Sequence, residues 1–404
     1  MPQFQFTARD ATGRTVTRTL QSDSAQSIMD ALQAEGMLVI RIREKKESKF
    51  LKKLRSAKPV GLKVLTIFSR QFALLVSAGL TLARALSTME EQAEFPHFRD
   101  ILADLRRRVQ SGETLFVAMS HHKRAFSPFY RSMVKAGETG GVLEEVLDRM
   151  AVFFEKELKL RHKIKAAMAY PIFVLVAAMT ITMGILIFIV PQFAQFFEEI
   201  SEGKAEMPAL TQFLLDASDF MLMNFWWVVP GPLLLLVGFF KFRQSRWGHI
   251  LLDRLILHLP LFGKLSRMVG VSRFSRTLGT LIQSGVTLMD SLAVTRTTAD
   301  NYVLEQGVDY IRDRVREGEP IYLPMKRSRI FPPMVYNMVA VGEEAGNLEL
   351  MLHKVADFYD EEIDALVEQL ASMIEPIMIM VIGIIVGVIV VGLYLPIFNI
   401  VDLF

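Results

Sequence analysis

Two glutamates of this sequence stand in nearly the same context. Glu138 lies in AGETGGVLEEVLDRMAVFFEKE, which begins at Ala136, and Glu343 lies in VGEEAGNLELMLHKVADFYDEE, which begins at Val341. In both segments the Gly-Glu pair precedes a helical pattern. A carboxylate near a helix N-terminus is stabilised by the positive partial charge of the backbone there. Two roles stay open: capping of the following helix, or contact with another bundle or a partner protein.

The glycines around these glutamates predict tight turns. Gly137 and Gly342 fall where one helical pattern ends, and Gly141 and Gly346 fall just before the next begins. Because glycine adopts a positive φ without steric cost, we expect Gly137 and Gly342 to turn the chain. A simple cap would accept Asp, Ser or Thr equally well, so the recurrence of Glu favours the contact role.

No other residue pattern in the sequence indicates a catalytic, metal-binding or nucleotide-binding site. The chain has no cysteine, its seven histidines are scattered, and it has no glycine-rich phosphate loop. We therefore expect no enzyme activity, no metal and no cofactor. A net charge of +3 over 404 residues is too small to indicate nucleic-acid binding.

Three windows without ionisable residues predict membrane spans. They lie between Lys165 and Glu198, between Asp219 and Lys241, and between Glu375 and Asp402. Each holds the roughly 20 apolar residues that a helix needs to cross a bilayer. The alternative, a buried core helix, is the weaker interpretation because a soluble core rarely needs three such runs.

Prolines and glycines mark the first and third windows. Pro171 and Pro191 are separated by the same interval as Pro376 and Pro396. That interval corresponds to about 30 Å of helix, the thickness of the hydrocarbon core, so we expect these prolines to bracket the spans. The second window contains VPGP, which predicts a kink. Gly383 and Gly387 form a GxxxG motif, which predicts helix packing.

The charged flanks predict the orientation of the spans. Three basic residues precede the first span and three follow the second, whereas the loop between these spans has one Lys against six acids. Basic flanks stay in the cytoplasm. The start of the chain lacks the form of a signal peptide. We therefore expect a cytoplasmic N-terminus and, with three spans, a periplasmic C-terminus.

The sequence contains a tandem duplication. FSRQFALLVSAGLTLARALS from Phe68 matches FSRTLGTLIQSGVTLMDSLA from Phe274, an offset of 206 residues, and after one small gap the offset is 205. About 130 residues align, and each copy ends in a predicted span. The apolar residues before the spans recur at helical spacing, which predicts two antiparallel helical bundles.

The predicted fold class is a mainly α integral membrane protein with a small N-terminal ββαβ module. The alternating segments FQFTA, TVTRTL and LVIRIR predict the strands of that module. The predicted organisation is as follows: module 1–43, basic linker 44–58, first cytoplasmic bundle 59–167, span 168–191, periplasmic loop 192–219, span 220–240, second cytoplasmic bundle 241–375 (a repeat of 68–167), span 376–398 and periplasmic tail 399–404.

The ordered motifs resemble the inner-membrane platform proteins of type II secretion and type IV pilus systems, the GspF/PilC family. The resemblance rests on SAGLTL and QSGVTL, on KAGETGG and AVGEEAGN, on AYP with VPQF, on MPALTQFLLDASDF, and on EPIM with YLPIF. It covers nearly the whole chain.

The resemblance implies partners that spacing alone does not. It implies contact with a cytoplasmic hexameric assembly ATPase, with pilin or pseudopilin subunits and with other inner-membrane components of the machine. It also implies self-association in the bacterial inner membrane. Two other classes remain as alternatives: an oligomeric transporter or channel subunit, which the charge-free spans disfavour, and a membrane-bound regulatory enzyme, for which no motif is present.

Overall fold

The computed structural model describes residues 3–9, 15–21, 26, 29, 38–44, 60–201, 207–228, 230–299 and 301–401. The chain divides into two compact units, residues 1–60 with 92–101 and residues 61–91 with 102–404.

An antiparallel sheet of three strands forms the described part of the N-terminal module. Its strands are β1 (Gln3–Arg9), β2 (Thr15–Gln21) and β3 (Leu38–Glu44), with β1 in the centre. Phe6 pairs with Arg18 on one side and with Ile42 on the other. The three predicted strands are therefore present. The predicted helix lies mostly outside the described residues, as does the basic linker, so the ββαβ order stays a prediction.

The first copy of the repeat is helical, as its periodicity predicts. Its helices are α1 (Leu62–Ser77), α2 (Leu82–Gln92), α3 (Pro96–Gln110), α4 (Leu115–Ser120), α5 (Pro128–Gly140) and α6 (Leu143–Gly184). Aromatic side chains fill its core. The rings of Phe68 and Phe72 stack at 5.2 Å, and Tyr130 lies 5.1 Å from Phe126 and 5.6 Å from Phe154.

Six further elements of the described chain lie between α6 and the second copy. They are a π-helix (Ile185–Ile189), α7 (Val190–Ser201), α8 (Ala209–Met223), α9 (Phe225–Val228), α10 (Pro230–Gln244) and α11 (Arg246–His258). The π-helix joins α6 to α7 without a break.

The second copy repeats the helix order of the first. Its helices are α12 (Pro260–Gln283), α13 (Leu288–Arg296), α14 (Tyr302–Arg316), α15 (Tyr322–Ser328), α16 (Pro333–Glu344) and α17 (Leu348–Val401). Phe274 and Phe331, the counterparts of Phe68 and Phe126, lie 4.7 Å apart in its core. Leu278, Val339 and Leu352 are fully buried around them.

Two helices are long and apolar enough to cross a membrane. They cover Leu143–Phe196 and Leu348–Pro396, with mean hydropathy of 2.8 and 3.0 in their most apolar windows. Only 6% and 17% of those windows are buried. A core helix of a soluble protein would be mostly buried, so these exposed apolar surfaces indicate a membrane environment.

The middle predicted span is divided among shorter helices. α8 ends at Met223, α9 covers four residues, and α10 begins at Pro230 within the VPGP sequence. Position 229 lies outside the described residues, so the kink expected at VPGP stays a prediction. No described helix there reaches the length of a span, so the third span stays a prediction.

The prolines expected to bracket the spans do not begin or end the long helices. Pro171, Pro376 and Pro396 all lie inside helices, and Pro191 is the second residue of α7. A proline inside a helix removes one backbone donor and so leaves one carbonyl of the preceding turn without its helical partner. A helix can extend beyond the bilayer, so the expectation that these prolines bracket the membrane spans stays a prediction.

Candidate functional site

Glu138 caps a helix, but not the one that follows it. It lies in the last turn of α5, and its carboxylate accepts the backbone N–H groups at the start of α4. Oε1 lies 2.5 Å from the Leu115 nitrogen and Oε2 lies 2.9 Å from the Phe116 nitrogen. The Thr114 hydroxyl accepts the Val117 N–H at 3.3 Å. Three otherwise unpaired donors of α4 are thereby satisfied, and α5 is tied to α4.

Glu343 repeats this contact in the second copy with fewer bonds. Its Oε1 accepts the Ile321 N–H at 3.0 Å, at the start of α15. Pro320 stands where the first copy has Thr114, so no hydroxyl cap is available. Among the described residues, Oε2 of Glu343 is buried without a hydrogen-bond partner. Of the two roles left open for these glutamates, capping of the following helix does not agree with these contacts, because both carboxylates bond to an earlier helix. Contact with another bundle or with a partner protein stays a prediction.

The glycines divide into two structural roles. Gly141 and Gly346 have a φ of 70° and form the turns, where the next N–H bonds back to the carbonyl of Gly137 or Gly342. Gly137 and Gly342 are helical, and a Cβ there would lie 3.0 Å from the Cα of Leu143 or Leu348. We expected a turn at Gly137 and Gly342. The structure instead uses them where two helices approach closely.

A network of charged side chains joins the two copies. Glu157 of α6 is buried and accepts two hydrogen bonds from Arg273 of α12, at 2.7 and 3.0 Å. Arg161 donates to the same carboxylate at 2.7 Å. Arg149 of α6 donates to the carbonyl of Gln283 at 2.5 Å. These contacts form the junction between the copies.

Ion pairs also connect the long helices α6 and α17. Lys156 lies 2.6 Å from Asp357, and Lys163 lies 2.8 Å from Asp364. The hydrogen bond that Lys163 donates to Asp364 holds the pKa of this lysine above its usual value. Because both partners advance by the same number of residues, the two helices run in parallel, which fits two helices that enter one membrane in the same direction.

Two hydroxyls of α8 replace backbone donors that prolines remove. In a π-helix each N–H bonds to the carbonyl five residues earlier, as the Val190 N–H does to Ile185. The carbonyl of Leu186 would therefore be paired with residue 191, but Pro191 has no N–H. The Ser218 hydroxyl instead donates to the carbonyl of Leu186 at 2.6 Å. In α17 the donor for Gly392 would be Pro396, and the Thr211 hydroxyl donates to that carbonyl at 2.5 Å.

These hydroxyls place α8 between the apolar ends of both copies. Ser218 and Thr211 are two turns apart on one face of α8, and both are buried. Leu214 lies between them and packs with Leu186, Val190 and Ile389. A Cβ on Gly392 would lie 2.4 Å from Leu214, so this glycine allows the close approach of α17.

Ser218, Thr211 and Gly392 were not predicted from the sequence. The available signal was a pair of hydroxyl residues seven positions apart, next to two spans that each end near a proline. By contrast, if Gly383 or Gly387 of the GxxxG motif carried a Cβ atom, no neighbouring atom of the described chain would lie within 4 Å of it. Their role in helix packing therefore stays a prediction for a contact outside this chain.

Comparison with known proteins agrees with the duplication. The family model described as "Type II secretion system (T2SS), protein F" matches residues 68–191 and 274–396. The model of the N-terminal domain of the same family matches residues 1–43. Together these matches cover most of the chain and reproduce the two copies.

Relatives align over almost their full length. The type IV pilus assembly protein PilC of Thermus thermophilus is 42% identical over 99% of this chain and 98% of its own. PilC of Myxococcus xanthus is 35% identical over 98% and 94%. The type II secretion system protein F of Vibrio cholerae is 31% identical over 94% and 93%. With both copies and the N-terminal domain matched, the chain belongs to the type II secretion system protein F family, which includes these PilC proteins.

Proposed function

We propose that this protein is an inner-membrane assembly platform. In this role it couples a cytoplasmic hexameric ATPase to the extraction and polymerisation of pilin or pseudopilin subunits. The observation that carries the proposal is the continuity of α6 and α17. Each begins in a helical bundle and continues without a break into an exposed apolar segment. A movement imposed on either bundle is thereby passed to the segment in the membrane.

The names of the relatives support both arms of the proposal. Two are named as type IV pilus assembly proteins and one as a type II secretion protein. The identities of 42% and 35% to the pilus proteins, against 31% to the secretion protein, favour the pilus arm. The platform acts as an oligomer in the bacterial inner membrane, with its N-terminus in the cytoplasm and its C-terminus in the periplasm.

A scaffold of this kind has no need of catalysis. Among the described residues, no group of three or more His, Cys, Asp or Glu side chains could hold a metal ion. The purified protein should raise the ATP turnover of the cognate ATPase without hydrolysing ATP itself. Hydrolysis that persists after removal of contaminating ATPases would contradict the scaffold role.

The continuity of α6 allows a sharper test. Two alanines inserted between Ala167 and Met168 rotate the bundle by about 200° relative to the apolar segment, because a helix has 3.6 residues per turn. Four alanines rotate it by about 40°. If the helix transmits motion, the two-residue insertion should abolish filament assembly, and the four-residue insertion should retain more of it. Equal activity of the two variants at equal membrane levels would contradict rigid coupling.

A further inference from the structure

Equivalent helices of the two copies differ in exposure on one face. In α12, the Arg273 side chain is 13% exposed and Thr280 is 4% exposed. The residues at the same positions of α1, 206 residues earlier, are Ile67 and Leu74. They are 46% and 59% exposed. Part of the α12 face is covered by the first copy, through Glu157 on Arg273 and Arg149 on the end of the helix.

The same asymmetry appears on the other side of the junction. Glu157 is 7% exposed and therefore buried, whereas its counterpart Glu362 is exposed. The Arg149 side chain is 22% exposed, and its counterpart Lys354 is exposed on α17. The first copy therefore contacts the second through this face of α6, while the equivalent face of α17, which carries Lys354 and Glu362, is exposed.

These differences define a head-to-tail junction, in which two different surfaces meet. The surface used by the second copy has an exposed equivalent in the first copy, and the surface used by the first copy has an exposed equivalent in the second. If the copies were joined by a two-fold relation, both α6 and α17 would be covered in the same way. We name the uncovered half in the first copy the N face (Ile67, Leu74, Ser77). We name the half in the second copy the C face (Val341, Leu350, Lys354).

Both uncovered faces are more apolar than the halves that are already paired. On the N face, Ile67 and Leu74 replace Arg273 and Thr280. On the C face, Val341 and Leu350 replace Ala136 and Glu145, which line a cleft of about 910 Å³ at the existing junction. Val341 is 54% exposed and Leu350 is 48% exposed. Apolar side chains that are exposed together on matching surfaces indicate a contact between proteins.

We infer that the C face of one chain docks on the N face of a second copy of the same chain and repeats the junction found within each chain. The occupant follows from the structure itself, because the equivalent surface in the second copy is already covered by this chain. In the new contact, Lys354 takes the place of Arg149 and reaches the carbonyls at the end of α1 near Ser77. Leu74 and Leu350 supply apolar contact in place of polar groups.

The direction of the helices is compatible with this contact in a membrane. α6 and α17 run in parallel across the existing junction. A second copy added by the same relation keeps its apolar helices in the same direction, so all copies can lie in one bilayer. Repetition of a head-to-tail contact closes into a ring when the rotation permits.

Cysteine cross-linking tests the contact directly, because the native chain has no cysteine. Ser77→Cys combined with Lys354→Cys should give cross-links between chains when membranes are treated with a short bismaleimide. The matched control is Arg149→Cys with Gln283→Cys, which should cross-link within one chain. When chains carrying only Ser77→Cys are mixed with chains carrying only Lys354→Cys, the cross-links should join position 77 of one chain to position 354 of another. If the control links and the 77–354 pair does not, the inference is wrong, as it is if Ser77→Cys links mainly to itself or to a different protein.

A charge on the N face provides a second measurement. Leu74→Glu should reduce the 77–354 cross-link at least tenfold, whereas Val117→Glu, at another exposed apolar position of the first copy, should not. An unchanged cross-link in Leu74→Glu would overturn the assignment of the N face. The inference rests on the self-association proposed above. An oligomer that supports filament assembly without this cross-link would refute the surface alone, whereas a monomer that supports assembly would refute the self-association as well.

Discussion

Glu138 lies 22 residues after Phe116 and on a different helix, yet its carboxylate accepts the Phe116 N–H at 2.9 Å. The second oxygen accepts the Leu115 N–H. This contact explains why the longer acid recurs at the Gly-Glu turn. A carboxylate on α5 must extend to the start of a separate helix, which the shorter Asp, Ser and Thr side chains do not reach from the same backbone position.

We expect Glu138→Ala to lower the free energy of unfolding of the first bundle by about 2 kcal/mol. The substitution leaves two backbone donors of α4 without a charged acceptor, and hydrogen bonds to charged groups contribute about 1.5–3 kcal/mol. Chemical unfolding of the purified protein would measure the change. Glu138→Gln should cost less because one amide oxygen still accepts. If Glu138→Ala unfolds like the native protein but fails to assemble filaments, the residue serves a partner contact instead.

The Glu343 variant provides the matched comparison. Glu343 accepts one described backbone N–H where Glu138 accepts two, so Glu343→Ala should destabilise less than Glu138→Ala. A larger loss for Glu343→Ala would contradict this account.

The local features of the fold could be predicted from the sequence, and the long-range contacts could not. The repeated pattern and the helical spacing of apolar residues specify the helices and the existence of two copies. Gly137 illustrates the limit. A glycine near a helix end favours a turn by local rules, but here the space left by its missing side chain admits Leu143 of the next helix. Only the packing of α5 on α6 decides between these two uses.

The prolines illustrate the same limit. Spacing placed Pro191 and Pro396 near the ends of apolar windows, which local rules interpret as helix ends. The helices continue past these prolines, and Ser218 and Thr211, on a separate helix, donate to the carbonyls that the prolines leave free. Because these donors are distant in sequence from the carbonyls they bind, no periodic pattern in the sequence predicts the contacts. They were identified only from the structure.

We expect Ser218→Ala and Thr211→Val to loosen α8 from the two long helices. Each leaves a buried carbonyl without a donor, at a cost of about 1–3 kcal/mol. Ser218→Thr and Thr211→Ser keep a hydroxyl and should restore most of the loss. Thermal unfolding in detergent would measure the cost, and filament assembly would show whether the position of α8 matters for function. If the hydroxyl-retaining variants are as unstable as the others, side-chain packing and not the hydrogen bond is responsible.

We expect Arg273→Met to weaken the junction by about 3 kcal/mol. Removal of one partner from a buried ion pair leaves an uncompensated charge, which typically costs 3–5 kcal/mol, and Arg161 partly offsets this for Glu157. The double variant Glu157→Leu/Arg273→Met removes both charges and should recover stability. Limited proteolysis and chemical unfolding would report the difference. A double variant less stable than Arg273→Met would show that the pair contributes net stability.

We expect the free energy of unfolding to decrease as the pH falls below about 6.5, the unperturbed pKa of histidine. Burial lowers the pKa of His353, although the nearby Asp357 opposes this, and Lys156, Arg276 and Arg149 add to the lowering. The unfolded chain therefore binds a proton at a higher pH than the folded chain does. Stability is fully present above the unfolded pKa and is lost as the pH falls toward the folded pKa.

His353→Gln separates this effect from other titrations. The amide can still bond to Gln283, whose Oε1 lies 3.2 Å from Nε2 of His353, but it does not bind a proton in this range. Unfolding measured from pH 8 to pH 5 should therefore fall less steeply in His353→Gln than in the native protein. Equal slopes for both proteins would show that other groups govern the acid sensitivity.

The last prediction concerns the orientation of the chain in the membrane. Single cysteines can be introduced without interference because the native chain has none. A cysteine at Lys204, in the loop with one Lys and six acids, should react with an impermeant maleimide added to cells whose outer membrane has been permeabilised. Cysteines at Lys53 and at Gln244, beside the basic residues Lys241 and Arg243, should react only after the inner membrane is opened, because basic flanks remain in the cytoplasm. Labelling at Gln244 with the inner membrane intact would reverse the proposed orientation of the second span, and with it the prediction that the C-terminus is periplasmic.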